Sequence, residues 1–171
     1  ASCPLRTNDV TYKSTTPKIG AQFDVSDDSN VYATYSKGFK SGGWNLYACD
    51  NGFEPEKVTS YEAGWKNRLL DNTLIVNASV FYYDYTDLQL SQVVGLVRLI
   101  KNAPAAKVKG LEVEAVWKPE EHWTFNANAS FLDAKFTEFS NIDSLDPALG
   151  TQNVKGHYLN NSPKVSSNVG V

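Results

Sequence analysis

Methionine is absent from the 171 residues, even at position 1, and cysteine and histidine are reduced to two each: Cys3, Cys49, His122 and His157. The start, ASCPLRTNDV, lacks the basic region and apolar run of a secretory signal, so the chain reads as mature or as an internal piece, and the internal piece is the expectation. His122 falls in a turn and His157 in a loop, with no second His or Cys at ligand spacing, and no metal site is predicted. Also missing is any run near the ~18 unbroken apolar residues that a spanning helix needs, which closes the helical route through a bilayer. A basic stripe is lacking too: the formal charge is −3, the pI is near 5.4, and Lys and Arg are scattered, so no nucleic-acid partner is expected. The glycines of Lys40-Ser41-Gly42-Gly43 lack phosphate-loop spacing and a following helix. No cofactor is predicted.

What is present is alternation. From Ser60 to Gln92 the chain reads as two strands folded about Leu70-Asp71-Asn72. Leu74, Val76, Ala78, Val80 and Tyr82 share one parity, and before the turn Tyr61, Ala63 and Trp65 alternate with Glu62, Gly64 and Lys66. A sustained period of two means strands with unlike faces, here a β-hairpin. The apolar parity after the turn runs on over about ten residues, nearer the ~9–11 of a tilted membrane-spanning strand than the ~5–6 of a soluble one. A mean hydropathy of −0.37 is compatible with this, because polar side chains at every second position dilute the signal.

The same division recurs along the chain. Ile19, Ala21, Phe23 and Val25 oppose Gly20, Gln22 and Asp24; Ser26 to Asn30 is a polar turn; Val31, Ala33 and Tyr35 resume, and regular structure is expected to end near Gly38. A loop of about twenty residues then runs to Lys57, a length that goes with function or disorder. The second hairpin strand is predicted to fade near Val93 into a loop ending at Pro104. Leu111, Val113, Ala115 and Trp117 oppose Gly110, Glu112 and Glu114; Lys118 to His122 turns; and Trp123, Phe125, Ala127, Ala129 and Phe131 oppose Asn126, Asn128 and Ser130. Asp133 to Asn161 reads as a long polar connection, and Val165, Ser167, Val169 and Val171 as one more strand. The predicted fold is all-β, an antiparallel up-and-down meander of about seven strands. Its connections alternate short and long, as in a membrane meander with all its brief turns on one side. Tyr35, Tyr61, Trp65, Tyr82, Trp117 and Trp123 near strand ends suit interfacial girdles, although each alone also fits ordinary strand propensity.

The runs KIGAQFDVSDDSNVYATYSKGFKSGG from Lys18, FEPEKVTSYEAGWKNRLLDNTLIVNASVFYYDYTDLQL from Phe53, NAPAAKVKGLEVEAVWKPEEHWTFNANASFLDAKFTEF from Asn102, and LNNSPKVSSNVGV, in this order and spacing, resemble the C-terminal barrel part of TonB-dependent outer-membrane receptors of Gram-negative bacteria. The resemblance implies a transporter of about 22 strands closed by an N-terminal plug. It would take up a ferric siderophore, cobalamin or a carbohydrate, with energy reaching it through TonB. The chain departs from that pattern in having no plug, no TonB-contacting segment and no terminal aromatic strand, so residues 1–171 are expected to be a partial barrel domain. Its implied partners are outer-membrane lipid, its own plug and remaining strands, and the TonB complex through that plug. The polar parity, with Gln22, Glu62, Lys66, Glu112, Glu114, Asn126 and Asn128, is expected to face the lumen. Glu112 and Glu114, on one strand face, read as lumenal, plug-facing or ion-paired carboxylates rather than an acid–base pair, and no enzyme is predicted.

Trp44, Tyr47 and Phe53 in one long loop and Tyr158 in another are candidates for ligand capture, since rings give large contact area at small entropic cost; packing the loops together is the plainer role. Cys3 precedes the first strand and Cys49 follows the second, so both lie on one side of the meander, extracellular and oxidising under the resemblance. An internal disulfide is expected, with free thiols or outside partners as the alternatives. A different reading of the same alternation is a soluble all-β ligand-binding module, a carbohydrate-binding sandwich or a lipocalin-like barrel.

Overall fold

The structure, a computed structural model, describes residues 9–45, 52–94, 97–142 and 146–171. Cys3, Tyr47 and Cys49 lie outside these residues. Seven long strands form one antiparallel sheet in the order β1 (Lys18–Ser26), β2 (Ser29–Lys40), β5 (Glu56–Leu69), β6 (Leu74–Val94), β7 (Val97–Glu120), β8 (Trp123–Glu138) and β11 (Val165–Gly170). Each pairs with its neighbours in sequence, as an up-and-down meander requires. Two short pairs branch from the long connections: β3 (Gly43–Trp44) with β4 (Gly52–Phe53), and β9 (Ser140–Ile142) with β10 (Thr151–Asn153). Among the described residues β1 and β11 each pair on one side only, so the sheet is open.

The turn between β5 and β6 shows why the short connections can be so short. Leu70, Asp71 and Asn72 have φ of 52°, 51° and 69°, the left-handed region that Asp and Asn tolerate better than most residues. The Leu70 carbonyl accepts from both the backbone N–H and the hydroxyl of Thr73, at 3.1 and 2.8 Å, and the Lys118 N–H donates to the Thr73 carbonyl at 2.7 Å, tying the turn to β7.

Three strands run further than their apolar alternation foretells. β2 continues to Lys40, paired with Glu56; β8 continues to Glu138; and within the loop expected from Val93 to Pro104 residues 93–94 and 97–104 are strand, because β6 and β7 stay paired from Leu74 opposite Trp117 to Val94 opposite Val97. Pro104 is accommodated where the ladder skips a pair, between Thr86 opposite Ala105 and Leu88 opposite Ala103. Proline has no N–H to give, and the Asp87 carbonyl across from it accepts from Nδ2 of Asn102 instead, at 2.7 Å.

Register assigns each side chain to a face. The apolar one carries Ala21, Ala33, Ala63, Val80, Leu111, Phe131 and Val165 in one cross-strand row, with Ala78, Val113 and Ala129 and then Val76, Ala115, Ala127 and Val169 beyond it. These side chains have no layer packed over them: Ile19, Phe23, Val80, Phe131 and Val169 are 48–81% exposed. The only buried apolar side chains among the described residues are Ala103, Ala106, Ala134 and Phe136; Ala103, Ala106 and Phe136 gather with Tyr85, Leu88 and Leu159 toward the long-connection end, where the loops fold over the sheet.

Aromatics border the band on both sides. Tyr35, Tyr61 and Tyr82 lie side by side with ring centroids 5.2 and 6.3 Å apart, in the row that ends on Lys109 and Asp133. At the short-turn end Trp117, Phe125 and Trp123 make a second group at 5.6 and 6.1 Å. Eight residues of β6 separate Tyr82 from Leu74, which is opposite Trp117. At ~3.3 Å per residue that is ~27 Å of strand, or ~20 Å across a layer at the ~35–45° tilt of spanning strands, close to the ~25 Å band of an outer-membrane barrel. No helix among the described residues is long and apolar enough to cross a membrane, which says nothing about crossing with strands.

Candidate functional site

The opposite face of the sheet is polar. Gln22, Glu62, Lys66, Glu112, Glu114, Asn126 and Asn128 all stand on it, in the register that pairs Asn77 with Lys66 and Glu114, and Glu114 with Asn128. Within it the Tyr32 hydroxyl donates to Oε1 of Glu62 at 2.7 Å, and the Lys66 ammonium sits 5.4 Å from the centre of the Tyr32 ring. Glu112 and Glu114 line a polar depression together with Tyr32, Lys66, Asn77 and Asn128. With Lys66 and the amides as their neighbours, the two carboxylates belong to a hydrogen-bonding surface, in which the Asn77 amide donates to Oε2 of Glu114 at 3.5 Å.

This face also holds aromatics that alternation does not foretell. Tyr32 lies across Gly64, where a Cβ would stand 2.6 Å from the phenolic oxygen, and Phe81 lies across Gly110, its partner in the ladder. Phe81 stacks on Tyr83 at 4.9 Å. The signal that could have found them is a glycine directly opposite an aromatic in the deduced hairpin register, because the missing side chain makes room for the ring.

At the long-connection end the segment after β2 folds against the extended β6–β7 ribbon. Asn45 pairs reciprocally with the backbone of Ile100: Nδ2 donates to its carbonyl at 2.9 Å and Oδ1 accepts from its N–H at 2.7 Å. Asn102 does the same for Glu54, accepting from its N–H at 2.8 Å and donating to its carbonyl at 2.9 Å. Gln89 adds a third tie, its amide group donating to the Ser41 and Glu54 carbonyls at 2.9 and 3.1 Å while its own N–H donates to Oε2 of Glu56 at 2.8 Å. Side-chain amides suit this task because each offers a donor and an acceptor to an otherwise unpaired loop backbone.

That scaffold carries two of the four ring candidates. Trp44 and Phe53 stand on the paired strands β3 and β4, Phe53 against Gly43 and Trp44 against Gly52, and Trp44 is 45% exposed. Tyr158 is set apart from them. It bridges to Lys135 of β8, and two ammonium groups approach its ring, Lys135 at 4.8 Å and Lys164 at 4.3 Å from the centre. Lys135 in turn contacts Asp133 at 2.8 Å, and Lys109 contacts the same carboxylate at 3.5 Å. The hydrogen bond to Asp133 holds the Lys135 ammonium above its ordinary pKa. Among the described residues no group of three or more His, Cys, Asp or Glu side chains is placed to hold a metal ion.

An open antiparallel sheet with one bare apolar face, two aromatic borders and loops gathered at one end is a section of a barrel wall, and comparison with known proteins agrees. The family model for a TonB dependent receptor-like β-barrel matches residues 2–171. The pesticin receptor of Yersinia enterocolitica is 31% identical over 130 residues, covering 73% of this chain and 19% of that receptor. Among solved structures, the ferric yersiniabactin uptake receptor of Yersinia pestis superposes with a TM-score of 0.67 at 23% identity, over 88% of this chain and 21% of that one. The siderophore receptor PiuA of Acinetobacter baumannii gives 0.68 at 21% identity, over 89% and 22%. At these identities the two structures speak for the fold alone. The chain spans about a fifth of the length of the curated relatives it matches. It belongs to the TonB-dependent receptors, as part of the β-barrel that seats them in the outer membrane of Gram-negative bacteria.

Proposed function

We propose that this stretch of barrel serves in the uptake of a ferric siderophore, within a receptor whose lumen is filled by a plug and whose energy arrives through TonB. The observation that carries the reading is the division of one sheet into an apolar face bounded by aromatics and a face lined with Gln22, Glu62, Lys66, Glu112, Glu114, Asn126 and Asn128. The first face suits lipid and the second suits a hydrated lumen and the polar surface of a plug. Residues 1–171 then act as a partial barrel domain, with the remaining strands as neighbours of β1 and β11. The substrate class is supported by the relatives, whose names include pesticin, siderophore and ferripyoverdine receptors. On the extracellular side, Trp44 offers exposed ring surface and Phe53 a half-buried ring on a braced support, and Tyr47 belongs to the same loop. They contact the incoming ligand in this reading, and Tyr158 is a fourth candidate on another long connection.

The test is growth of an iron-starved host on single ferric siderophores, with the gene for the receptor that carries this chain deleted and then restored. Growth should fail on one siderophore on deletion and return with the parent gene. The double change Trp44→Ala and Phe53→Ala should lower uptake of that siderophore while the amount of folded receptor in the outer membrane stays unchanged. Unimpaired growth of the deletion strain on every ferric siderophore, with impaired use of cobalamin or a carbohydrate, would move the substrate to that class.

A further inference from the structure

The double glycine at 42–43, which is no phosphate loop, is covered by a ring from the segment before β1. Tyr12, half-buried, belongs to that segment, which turns beside β2 where the Pro17 carbonyl accepts from the Lys37 N–H at 3.0 Å. A Cβ on Gly42 would stand 2.7 Å from the Tyr12 hydroxyl oxygen and 2.8 Å from its Cζ, and would also meet the Phe53 carbonyl. Gly43 is covered in turn by Phe53, whose Cζ is 2.8 Å from the Cβ position, and Gly52 by Trp44, whose Cζ3 is 3.1 Å away. Three rings thus sit on three bare glycines: Tyr12 on Gly42, Phe53 on Gly43 and Trp44 on Gly52, the last two pairs also being partners in the β3–β4 ladder.

The side-chain amides of Asn45, Gln89 and Asn102 fasten this hairpin at Ser41, Asn45 and Glu54. Between the first two of those points the chain passes through two consecutive glycines, whose backbones have more conformations open to them than any other residue. A ladder of two residue pairs is too short to hold its own orientation, so the direction in which Trp44 points depends on what fills the space over Gly42. The Tyr12 ring fills it. It takes the place that a side chain at position 42 would occupy, beside the Phe53 carbonyl, and so limits rotation of the Gly42–Gly43 link. A phenol seated this closely on backbone is an approach that glycine alone permits, and it accounts for a glycine at position 42.

We propose that Tyr12 is a positioning residue for ligand capture: by filling the space over Gly42 it holds the β3–β4 hairpin in the orientation that presents Trp44 to the incoming molecule. The inference rests on the reading that Trp44 and Phe53 meet the ligand, and not on which nutrient is carried. Tyr12 acts through these two rings rather than by touching the ligand. Such a residue raises affinity without adding a contact, because the apparent dissociation constant is the intrinsic one divided by the fraction of receptor in the competent orientation. A fall of that fraction to about one tenth, once the ring is gone, weakens binding about tenfold.

The experiment uses the complete receptor that carries this chain, purified in mild detergent and titrated with the ferric siderophore on which the deletion strain fails to grow, labelled with radioactive iron. Where growth points to cobalamin or a carbohydrate instead, that compound in radiolabelled form takes its place. Tyr12→Ala should weaken binding about tenfold, and Tyr12→Phe, which keeps Cζ over Gly42, should bind within about twofold of the parent. A double-mutant cycle separates positioning from contact: in a receptor already carrying Trp44→Ala and Phe53→Ala, adding Tyr12→Ala should weaken binding by less than about twofold. Amide exchange at residues 43–44 and 52–53 should quicken in Tyr12→Ala and stay at the parent rate in Tyr12→Phe. Heat-modifiable gel migration reports folding separately, and if Tyr12→Ala fails it, Tyr12→Leu, too short to reach Gly42, carries the test. Parent affinity or unaltered exchange in Tyr12→Ala, with binding weakened by the Trp44→Ala and Phe53→Ala pair, overturns the proposal alone. No weakening by that pair removes the ligand contact and the proposal with it. Two further outcomes also overturn it: a full tenfold loss on adding Tyr12→Ala to the receptor without the two rings, which means that Tyr12 meets the ligand itself, and equal weakening by Tyr12→Phe, which means that the hydroxyl and not the ring is at work.

Discussion

Ala129→Arg and Asn128→Arg place the same side chain on adjacent residues of β8 that point to opposite faces. Ala129 is paired with Val113 and Ser167 and sits midway between Phe125 and Asp133, the two borders of the band on that strand. An arginine there has lipid on one side and only Ala78, Val113 and Ala129's own strand on the other, with no carboxylate in the row. The expected loss is ~2–4 kcal/mol, the cost of Arg at the midplane of a barrel, or about thirtyfold to a thousandfold in the folding equilibrium. Asn128 pairs with Glu114 and Asn168 on the polar face, where a new cation meets water and a carboxylate, and the change should stay within about 0.5 kcal/mol. The measurement is reversible folding of the complete receptor into liposomes, followed by urea titration of parent and variants. Equal losses at the two positions, or a larger one at Asn128, would refute the assignment of faces.

Gly64→Ala should cost about 1–3 kcal/mol in the same titration, because its Cβ meets a Tyr32 ring already tied to Glu62; combining it with Tyr32→Ala should recover part of that loss, and no recovery would mean that the ring is not what the Cβ strikes. Asn102→Ala removes the partner of Glu54 and of the Asp87 carbonyl, so amide exchange at residues 52–54 should quicken about tenfold, corresponding to ~1–1.5 kcal/mol of local opening, while urea stability of the barrel changes little; unaltered exchange would show the loop to be held elsewhere. Residues 1–171 expressed alone should give no soluble monomer, since β1 and β11 are unpaired on one side and the apolar face is bare. A monodisperse, detergent-free species with a cooperative thermal transition would instead favour the soluble module.

The membrane-spanning part of the wall could be read from the sequence because its physics is periodic. Lipid on one side and water on the other force alternation, so Ile19 to Val25, Leu74 to Tyr82 and Trp123 to Phe131 each declare their faces residue by residue. Where the environment becomes water on both sides, that signal ends although the strands do not, which is why alternation predicts a loop up to Pro104 while β7 begins at Val97. Pro104 reinforced the error, since a proline opposes strand pairing until a neighbouring amide such as Asn102 supplies the missing donor. The bracing by Asn45, Gln89 and Asn102 joins residues 33 to 55 apart and leaves no local pattern. The contact of Lys109 with Asp133 likewise exists only once β7 and β8 are set in register.

That register bears on the two cysteines as well. Pro17 accepts from the Lys37 N–H at 3.0 Å, so the chain before β1 continues alongside β2, and Tyr12 lies against Gly42, where an added Cβ would stand 2.7 Å from its hydroxyl oxygen. Nine residues separate Cys3 from Tyr12 and seven separate Gly42 from Cys49. Extended chains of those lengths reach ~30 and ~23 Å, ample for two segments starting in contact to meet again. Cys3 and Cys49 should therefore form a disulfide on the extracellular side, where oxidation is permitted and Cα atoms need come only within ~4.4–6.8 Å. Closing a loop of about 46 residues restricts the unfolded chain by ~4 kcal/mol in the entropic account. Part of that should appear as lower urea stability after reduction, and in Cys3→Ser and Cys49→Ser to the same extent. Non-reducing peptide mapping of the receptor decides the pairing: a Cys3–Cys49 cross-linked peptide is expected, and both cysteines recovered as alkylated thiols, or joined to other partners, would refute it.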